Sequence, residues 1–491
     1  MKKITRLSFI FLFFFLTLWG CKENIDEASS EKQFVWNAMN YWYYWQTSVP
    51  ELADDKAFFK NEQDFQDYLR DYSNAETLFE DLIYQDDDFS FFIDDYEEFL
   101  QSRQGISQDF GFEYGLVQPD RNSSDIFGYV QYVLDGTPAD EVGLTRGDIF
   151  TGINGTPLNV NNFRTLLANN PIELTLAESV NGEITETGET VTVNATQIQE
   201  DPIFTSKVID TGSVRVGYLL YNSFQTNSHQ NLNNVFGNFM SEGIDELVLD
   251  LRYNGGGAVI TSATLASMLS GLGSSEIFAE YTYNEKRSNQ GSTLTFQDEL
   301  STYNNGEQTG TTTMNKLALD RLYILTGFNT ASASEAVING LMPFMEVTVI
   351  GRQTVGKDDA SLTLYDAPAP YTDREQANPS HENAIQPIIL KIRNENGQSN
   401  GEGFLPEGDN FIRELDYLDN LPPLGDVNDP LLARALELIS GEPVAKQLAA
   451  PAPYRGDIFK DSRDMEQFGK DMYILPGEAK DLRLNTPQTE K

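Results

Sequence analysis

The segment 321-RLYILTGFNTASASEAVINGLM-342 joins a short apolar run to a helical pattern through a turn of small and polar residues. The run Arg321–Thr326 predicts a β-strand, and residues 334–342 predict a helix. Ser332 stands where the helix begins, and a serine at that position usually caps the first turn. Glu335 follows three residues later, as in a capping box. Taken alone, the turn favours a structural role for Ser332.

The chain around this segment alternates strand and helix patterns from about residue 205 onward. Such alternation is typical of α/β domains. The predicted strands are residues 214–220, 246–251, 321–326 and 346–350, and the predicted helices are residues 258–269, 334–342 and 429–439.

A glycine-rich turn, 250-DLRYNGGG-257, follows another apolar strand. Three consecutive glycines let backbone N–H groups converge where side chains would block them. Such a turn can hold a phosphate or an oxyanion. The phosphate interpretation is poor, because the turn lacks the GK[ST] ending of a phosphate-binding loop.

A third turn, 351-GRQTVGK-357, completes a pattern. The three turns and their order resemble the C-terminal processing peptidases, also called tail-specific proteases, which carry "DLRNNPGG"-like, "SASASE"-like and "GxxTxGK" turns. In that family the first serine of "SASE" and a lysine 25 residues later carry the chemistry, and Ser332 and Lys357 have that spacing. The resemblance covers roughly residues 85–440.

The resemblance implies a serine peptidase in which Ser332 attacks the scissile carbonyl and Lys357 takes its proton. The N–H groups of Ala333 and of Gly256 or Gly255 would hold the oxyanion. It also implies a crotonase- or Clp-like α/β core and requires no metal or organic cofactor. The composition is consistent, because the chain has two histidines, His229 and His381, both in polar stretches that predict surface positions.

The sequence departs from the family pattern at three places. Gly255 replaces the proline of the glycine-rich turn, and Ser361 stands where many members carry a glutamine that orients the lysine. We therefore count Ser361 with Ser332 and Lys357 among the catalytic residues and expect its hydroxyl to accept from Lys357, more weakly than a glutamine would. Asp358 and Asp359 follow Lys357, and carboxylates close to its amine would raise the lysine pKa, so both are expected to point to solvent. These departures leave an alternative open: a catalytically weak relative that binds peptides or proteins.

Residues 105–200 resemble a PDZ domain, through predicted strands at 129–134 and 149–153 and the stretch 136-GTPADEVGLTRGD-148 between them. The resemblance implies a groove that pairs with an extended peptide. The residues expected to bind the peptide are Phe110, Gly111 and Phe112 in the carboxylate-binding loop, and Phe163 and Leu167 on a helix at 162–168. The expected substrates are unstructured polypeptides or C-terminal tails.

The N-terminus predicts an export signal. Three basic residues within residues 1–6 precede an apolar run, residues 7–19, which is short for a membrane span. The chain's one cysteine, Cys21, follows directly and resembles a lipobox cysteine. We therefore expect a bacterial envelope protein anchored by lipid on Cys21, in the outer membrane and on its periplasmic or surface face. An ordinary secretory signal is the alternative.

Length and charge set the remaining limits. The 491 residues predict about three domains, and a formal charge of −41 makes nucleic-acid binding unlikely. A single cysteine and two histidines exclude a cysteine-rich or multi-histidine metal site.

The aromatic pattern at 34–45 predicts a packed helix or a homodimer face, with a carbohydrate platform as a weaker alternative. We predict a multidomain α/β protein with a signal peptide (1–20), a tether (21–33), an N-terminal helical region (34–104), a PDZ-like β-rich domain (105–200), a peptidase core (201–442) and a C-terminal extension (443–491).

Overall fold

The computed structural model of the chain describes residues 28–290, 292–304, 306–442, 456–466 and 469–479. The predicted signal peptide and Cys21 lie outside the described residues. Within the described ranges, no helix combines the length and the apolar character that a bilayer span needs.

The α-helices of the described residues are α1 (Ser30–Trp42), α2 (Glu62–Asp71), α3 (Ala75–Asp81), α4 (Tyr96–Ser102), α5 (Pro138–Glu141), α6 (Phe163–Leu167), α7 (His229–Glu242), α8 (Val259–Ser270), α9 (Ala333–Leu341), α10 (Pro430–Ser440) and α11 (Pro476–Ala479).

The β-strands are β1 (Phe91–Ile93), β2 (Ile106–Asp109), β3 (Phe112–Gln118), β4 (Phe127–Val133), β5 (Ile149–Ile153), β6 (Thr156–Pro157), β7 (Ile172–Val180), β8 (Glu183–Val193), β9 (Thr196–Gln199), β10 (Ile203–Asp210), β11 (Arg215–Tyr221), β12 (Glu246–Asp250), β13 (Gly257–Ala258), β14 (Ile277–Tyr283), β15 (Ser292–Thr295), β16 (Glu299–Asn304), β17 (Glu307–Thr313), β18 (Arg321–Thr326), β19 (Glu346–Gly351), β20 (Asp359–Ser361), β21 (Leu364–Tyr365), β22 (Ala384–Gln386), β23 (Ile388–Arg393), β24 (Asp457–Asp461) and β25 (Met472–Tyr473).

A five-stranded sheet in the order β10-β11-β12-β18-β19 forms the centre of the mixed α/β fold. Its last four strands run parallel, and β10 is antiparallel to β11. Helix α8 is buried from Val259 to Leu269, as expected for a helix inside a core, and α10 packs on the opposite face of the sheet. Because parallel strands end at one edge, the turns after β12, β18 and β19 meet there.

The aromatic residues of α1 pack into the main hydrophobic core rather than facing solvent. Trp36 and Trp42 are 4% and 1% exposed, and the Trp42 indole N–H donates to the carbonyl oxygen of Pro370 at 2.7 Å. The carbohydrate-platform interpretation is therefore wrong for these rings, because a buried indole cannot stack on a sugar. The homodimer stays a prediction without this face as its support.

A second, β-rich sheet runs in the order β24-β3-β4-β5-β7-β8, with β6 paired to β5. Its edge strand β24 comes from the C-terminal extension and lies antiparallel to β3, with Asp461 opposite Gly115 and Asp457 opposite Gln118. Further along the same extension, β25 pairs in parallel with both β13 and β20. Two short strands thus connect residues 456–466 and residues 469–479 to two different sheets.

Arg252 fixes the turn after β12 to the start of α10. Its guanidinium is fully buried and donates to Asp250 at 2.8 Å, to Asp429 at 2.9 Å and to Glu414 at 2.7 Å. Burial alone would raise the pKa of Glu414, but the cations of Arg146 and Arg252 outweigh it and hold that pKa at about 2. A buried cation with three carboxylates positions the turn rigidly.

His229 is buried, so the predicted surface position is wrong. Its Nδ1 donates to the carbonyl oxygen of Ser301 at 2.8 Å, and its Nε2 accepts from the Thr261 hydroxyl at 2.9 Å. The surface position was predicted from the polar neighbours of His229 in the sequence, which do not show that this first residue of α7 is buried. Burial lowers the pKa of His229 to about 4, so the imidazole stays neutral.

We expect His229 to make folding sensitive to acid. A histidine in an unfolded chain has a pKa near 6.5. Between pH 6.5 and about 4, His229 is therefore protonated in the unfolded chain and neutral in the folded chain. This group's stabilisation is complete above pH 6.5 and falls by about 3 kcal/mol as the pH drops to 4. Urea unfolding of the wild type and His229→Gln across this range measures the difference, and parallel pH profiles would contradict it.

Candidate active site

Ser332 sits at the sharp turn between β18 and α9 with φ +60° and ψ −119°, a backbone conformation that residues other than glycine rarely adopt. The residue is fully buried. Gly256, from the turn after β12, lies directly against it, because a Cβ added at Gly256 would stand 2.6 Å from the Ser332 Cβ. The strained turn and the close glycine direct the Ser332 hydroxyl to the space between the two turns.

Glu335 connects the Ser332 turn to the Lys357 turn. One carboxylate oxygen accepts the N–H groups of Ser332 and Lys357, both at 2.9 Å. The other oxygen accepts the Thr354 hydroxyl at 2.6 Å and the Gly356 N–H at 2.7 Å. Burial raises the pKa of Glu335 above its ordinary value, although all four hydrogen bonds oppose that shift. Sequence reasoning assigned Glu335 a capping role only.

Ser332 and Lys357 converge on one atom. The Ser332 Oγ donates to the carbonyl oxygen of Lys470 at 2.7 Å, and the Lys357 Nζ donates to the same oxygen at 3.1 Å. Lys357 is 1% exposed, and its Nζ lies 4.3 Å from the centroid of the Phe89 ring. The structure therefore brings together the two side chains that the sequence paired. Lys470 belongs to the C-terminal extension, where no sequence pattern marked it.

The predicted oxyanion residues surround Ser332, but one donor is occupied. A Cβ at Gly256 would lie 3.3 Å from the Ala333 nitrogen, which places both residues beside the serine. The Gly256 N–H, however, donates to the Asn254 side-chain oxygen at 2.9 Å. Gly255 touches the extension, since an added Cβ would stand 1.9 Å from the Gly469 carbonyl oxygen. In this conformation Gly256 thus offers no donor to a ligand.

The suggested contact between Ser361 and Lys357 is wrong. The Ser361 hydroxyl donates towards the Asp471 carboxylate at 2.7 Å and the Met472 carbonyl oxygen at 3.0 Å. It accepts from the Gln386 amide at 2.7 Å. Ser361 is thus part of the contact between β20 and the extension, and Lys357 is oriented by other groups.

The expectation that Asp358 and Asp359 point to solvent is also wrong. The Lys391 ammonium bonds to Asp358 at 2.8 Å and to Asp359 at 3.2 Å, and Asp359 is 4% exposed. Burial raises the pKa of Asp359, while the cations of Lys357 and Lys391 act in the opposite direction. A second lysine, Lys391, which is distant in sequence, therefore forms ion pairs with both carboxylates.

The predicted peptide-binding residues lie in the β-rich sheet and its own hydrophobic cluster, apart from the core around Ser332. Phe112, Phe163 and Leu167 are buried in that cluster, and Phe110 packs against it. The Gly111 N–H donates to the Asp109 carboxylate at 2.6 Å, so it is not free for a peptide carboxylate. Across the described residues, no cluster of three or more His, Cys, Asp or Glu side chains is arranged to hold a metal ion.

Replacing Glu335 with glutamine should disturb both turns. The amide nitrogen of the introduced side chain cannot accept the two donors that one carboxylate oxygen now accepts, so one pair of bonds is lost. We expect at least a tenfold slower reaction of Ser332 with a fluorophosphonate probe and a lower free energy of unfolding. Glu346→Gln, on the exposed start of β19, is the matched control. Wild-type reactivity in Glu335→Gln would contradict this role.

Known sequences and structures resemble the chain over these elements. Residues 215–402 match the family model of peptidase family S41, and residues 30–91 match the peptidase S41 N-terminal domain. A carboxyl-terminal-processing protease of Synechocystis sp. is 25% identical over 244 residues, which are 49% of this chain and 51% of that protein. A chloroplastic C-terminal processing peptidase of Tetradesmus obliquus is 26% identical over 234 residues, which are 45% of this chain and 46% of that protein.

The chain therefore spans about half the length of these curated relatives. A crystal structure from Bacteroides fragilis, described as an S41 protease, superimposes with a TM-score of 0.62 at 26% identity. The match covers 83% of this chain and 97% of that one. The family match includes the turns that carry Gly256, Ser332 and Lys357, and the chain belongs to peptidase family S41.

Proposed function

We propose that this protein is a serine endopeptidase that cleaves extended polypeptides or C-terminal tails, with Ser332 as nucleophile and Lys357 as general base. The observation that carries the proposal is the convergence of the Ser332 Oγ and the Lys357 Nζ on one backbone carbonyl oxygen. That carbonyl lies in a turn two residues before β25, the strand that pairs with β13 and β20, and an extended polypeptide substrate would pair with the same strands.

In the proposed reaction, neutral Lys357 takes the Ser332 proton as the Oγ attacks the scissile carbonyl carbon. The carbonyl oxygen becomes an oxyanion held by the N–H groups of Ala333 and Gly256, once Gly256 turns away from Asn254. Lysine returns the proton to the leaving amine, and an acyl-enzyme ester on Ser332 remains. Water, deprotonated by Lys357, then hydrolyses the ester. Losing one oxyanion donor costs about 2.7–4 kcal/mol in other serine proteases.

We interpret the central sheet with its helices as a crotonase- or Clp-like core and residues 105–200 as a PDZ-like insertion. The pairing of β24 with the edge of β3 supports the second assignment, because PDZ domains add an extended peptide to a sheet edge.

A catalytically weak peptide-binding protein is the second candidate for the function of this chain. The bond between the Gly256 N–H and Asn254 favours it, because that bond removes an oxyanion donor.

We further propose that lipid on Cys21 anchors the protein in a bacterial envelope, in the outer membrane and on its periplasmic or surface face. The support is the position of the only cysteine at the end of the only N-terminal apolar run.

Wild-type protein should partition into a detergent phase because of its lipid, and Cys21→Ala should remain in the aqueous phase. Equal partition of the two proteins would contradict the lipid anchor.

Cleavage of casein by residues 22–491 tests the function. We expect slow hydrolysis by the wild type and a loss of at least roughly 10³-fold in Ser332→Ala and Lys357→Ala, because each removes one member of the dyad. Ser275→Ala and Lys207→Ala, which change an exposed serine and an exposed lysine, are the matched controls. Equal cleavage by all variants would contradict the proposed dyad, and casein binding without cleavage would favour the peptide-binding alternative.

A further inference from the structure

The C-terminal extension first occupies the groove between β3 and α6, called here the β3–α6 groove. Strand β24 lies antiparallel to β3 from Asp457 to Asp461. The Phe459 ring packs edge-on against Phe163 of α6, with centroids 5.6 Å apart, and joins the hydrophobic cluster of the β-rich sheet. Backbone pairing together with a buried aromatic side chain is how sheet-edge sites hold extended peptides.

Four residues after Phe459, Arg463 enters an acidic cavity of about 480 Å³ beside the sheet. Its guanidinium donates to the Tyr132 hydroxyl at 2.9 Å and lies 3.6 Å from Glu113 and 3.8 Å from Glu200. Asp109 also lines the cavity, so Asp109, Glu113 and Glu200, all outside the extension, supply carboxyl groups to it. The cavity is therefore suited to a guanidinium group.

The extension then crosses the active site. The carbonyl oxygen of Lys470 accepts from Ser332 and Lys357, and the next carbonyl oxygen, of Asp471, accepts the Gly257 N–H at 2.8 Å. The Asp471 side chain forms an ion pair with Arg103 and a hydrogen bond with Ser361. The backbone on both sides of the Lys470–Asp471 peptide bond is thus held in the cleft by hydrogen bonds.

Gly255 makes room for this crossing. The residue does not have a positive φ, so its backbone conformation does not require glycine. A Cβ at this position would stand 1.9 Å from the Gly469 carbonyl oxygen, which is far inside the van der Waals limit. The one position of the glycine-rich turn that lacks the expected proline is therefore the position over which the extension passes.

The pose does not lead to cleavage. The Ser332 proton is directed to the Lys470 carbonyl oxygen rather than to Lys357, and the Lys357 Nζ donates to the same oxygen. The Gly256 N–H bonds to Asn254 instead of this oxygen. Attack needs the carbonyl oxygen in the oxyanion donors and the serine proton on the base. Ser332 is completely covered in this state.

We propose that the β3–α6 groove, the acidic cavity and the Ser332 cleft form one continuous site for an extended polypeptide with an aromatic residue and an arginine four positions later, and that residues 456–466 and 469–479 of this chain occupy it as a pseudosubstrate. The inference rests on the proposed peptidase function. Because the occupant is tethered, its effective concentration is of the order of millimolar, and a competing polypeptide must match the same groove and cavity to displace it.

Phe459→Ala in the protein of residues 22–491 tests the proposal. Removing the ring takes away apolar burial in the groove and shifts the extension towards release. We expect Ser332 to react roughly tenfold faster with a fluorophosphonate probe and casein cleavage to rise in parallel. Phe459→Leu, which keeps part of the contact, should give a smaller increase. Phe58→Ala, which removes a half-exposed ring elsewhere, should leave both rates unchanged.

A synthetic peptide of residues 456–479 supplies the converse test. Added to Phe459→Ala, it should slow the probe reaction, and the same peptide with Arg463→Ala should act more weakly. Intact mass should show that the Lys470–Asp471 bond survives incubation of the wild type. Equal probe rates in wild type and folded Phe459→Ala, no inhibition by the peptide, or cleavage after Lys470 would each overturn the pseudosubstrate.

The outcomes separate this proposal from the peptidase function. If wild type and Phe459→Ala cleave casein equally and Ser332→Ala does not, the function stands and the pseudosubstrate fails. If Ser332 reacts with the probe in no variant and casein survives in all of them, both fail.

Discussion

The buried carboxylate of Glu335 is the constraint on which the candidate site depends. It collects four donors from two turns, so the left-handed backbone of Ser332 and the entry of Lys357 into the core are fixed by the same group. A buried carboxylate without partners would be costly, and the four bonds make this geometry the one that satisfies it. Arg252 has the reciprocal role on the neighbouring turn, where one buried cation gathers three carboxylates. Two buried charges thus place Gly256, Ser332 and Lys357 together.

The sequence predicted the elements that stand out as apolar runs or periodic patterns between turn residues. Strands β5 and β18 have the predicted bounds, and α8, α9 and α10 differ from the predictions by one residue at each end, because their apolar residues end where polar or glycine-rich turns begin. Ser332 and Lys357 were predicted from motifs, since the turns that carry them have distinctive residue types.

Other features depend on partners far away in the chain and leave no local signal. Lys391, which forms ion pairs with Asp358 and Asp359, lies on a strand that is antiparallel to β20. His229 has polar neighbours in sequence and apolar burial in space. In the described part of the extension, strand β24 (DIFKD) does not alternate apolar and polar residues, and the two-residue strand β25 is too short to show a period. Each of these was missed because the determining contact is made by the fold rather than by the segment.

The extension and the departures from the family pattern have a common explanation. Gly255 removes the side chain that would collide with Gly469, and Ser361 hydrogen-bonds to Asp471 instead of orienting Lys357. Two substitutions that weaken the resemblance at the chemical centre therefore both serve the contact with residues 469–473. On this account, Gly255 and Ser361 are suited to the state in which the C-terminal extension covers the active site.

Trapping the acyl-enzyme tests the central claim most directly. The protein is incubated with an activated ester, quenched in acid and digested, and the acyl group is located by mass spectrometry. The account predicts a single ester on Ser332 that forms in the wild type and does not accumulate in Lys357→Ala. An acyl group on another residue, or equal acylation without Lys357, would contradict it.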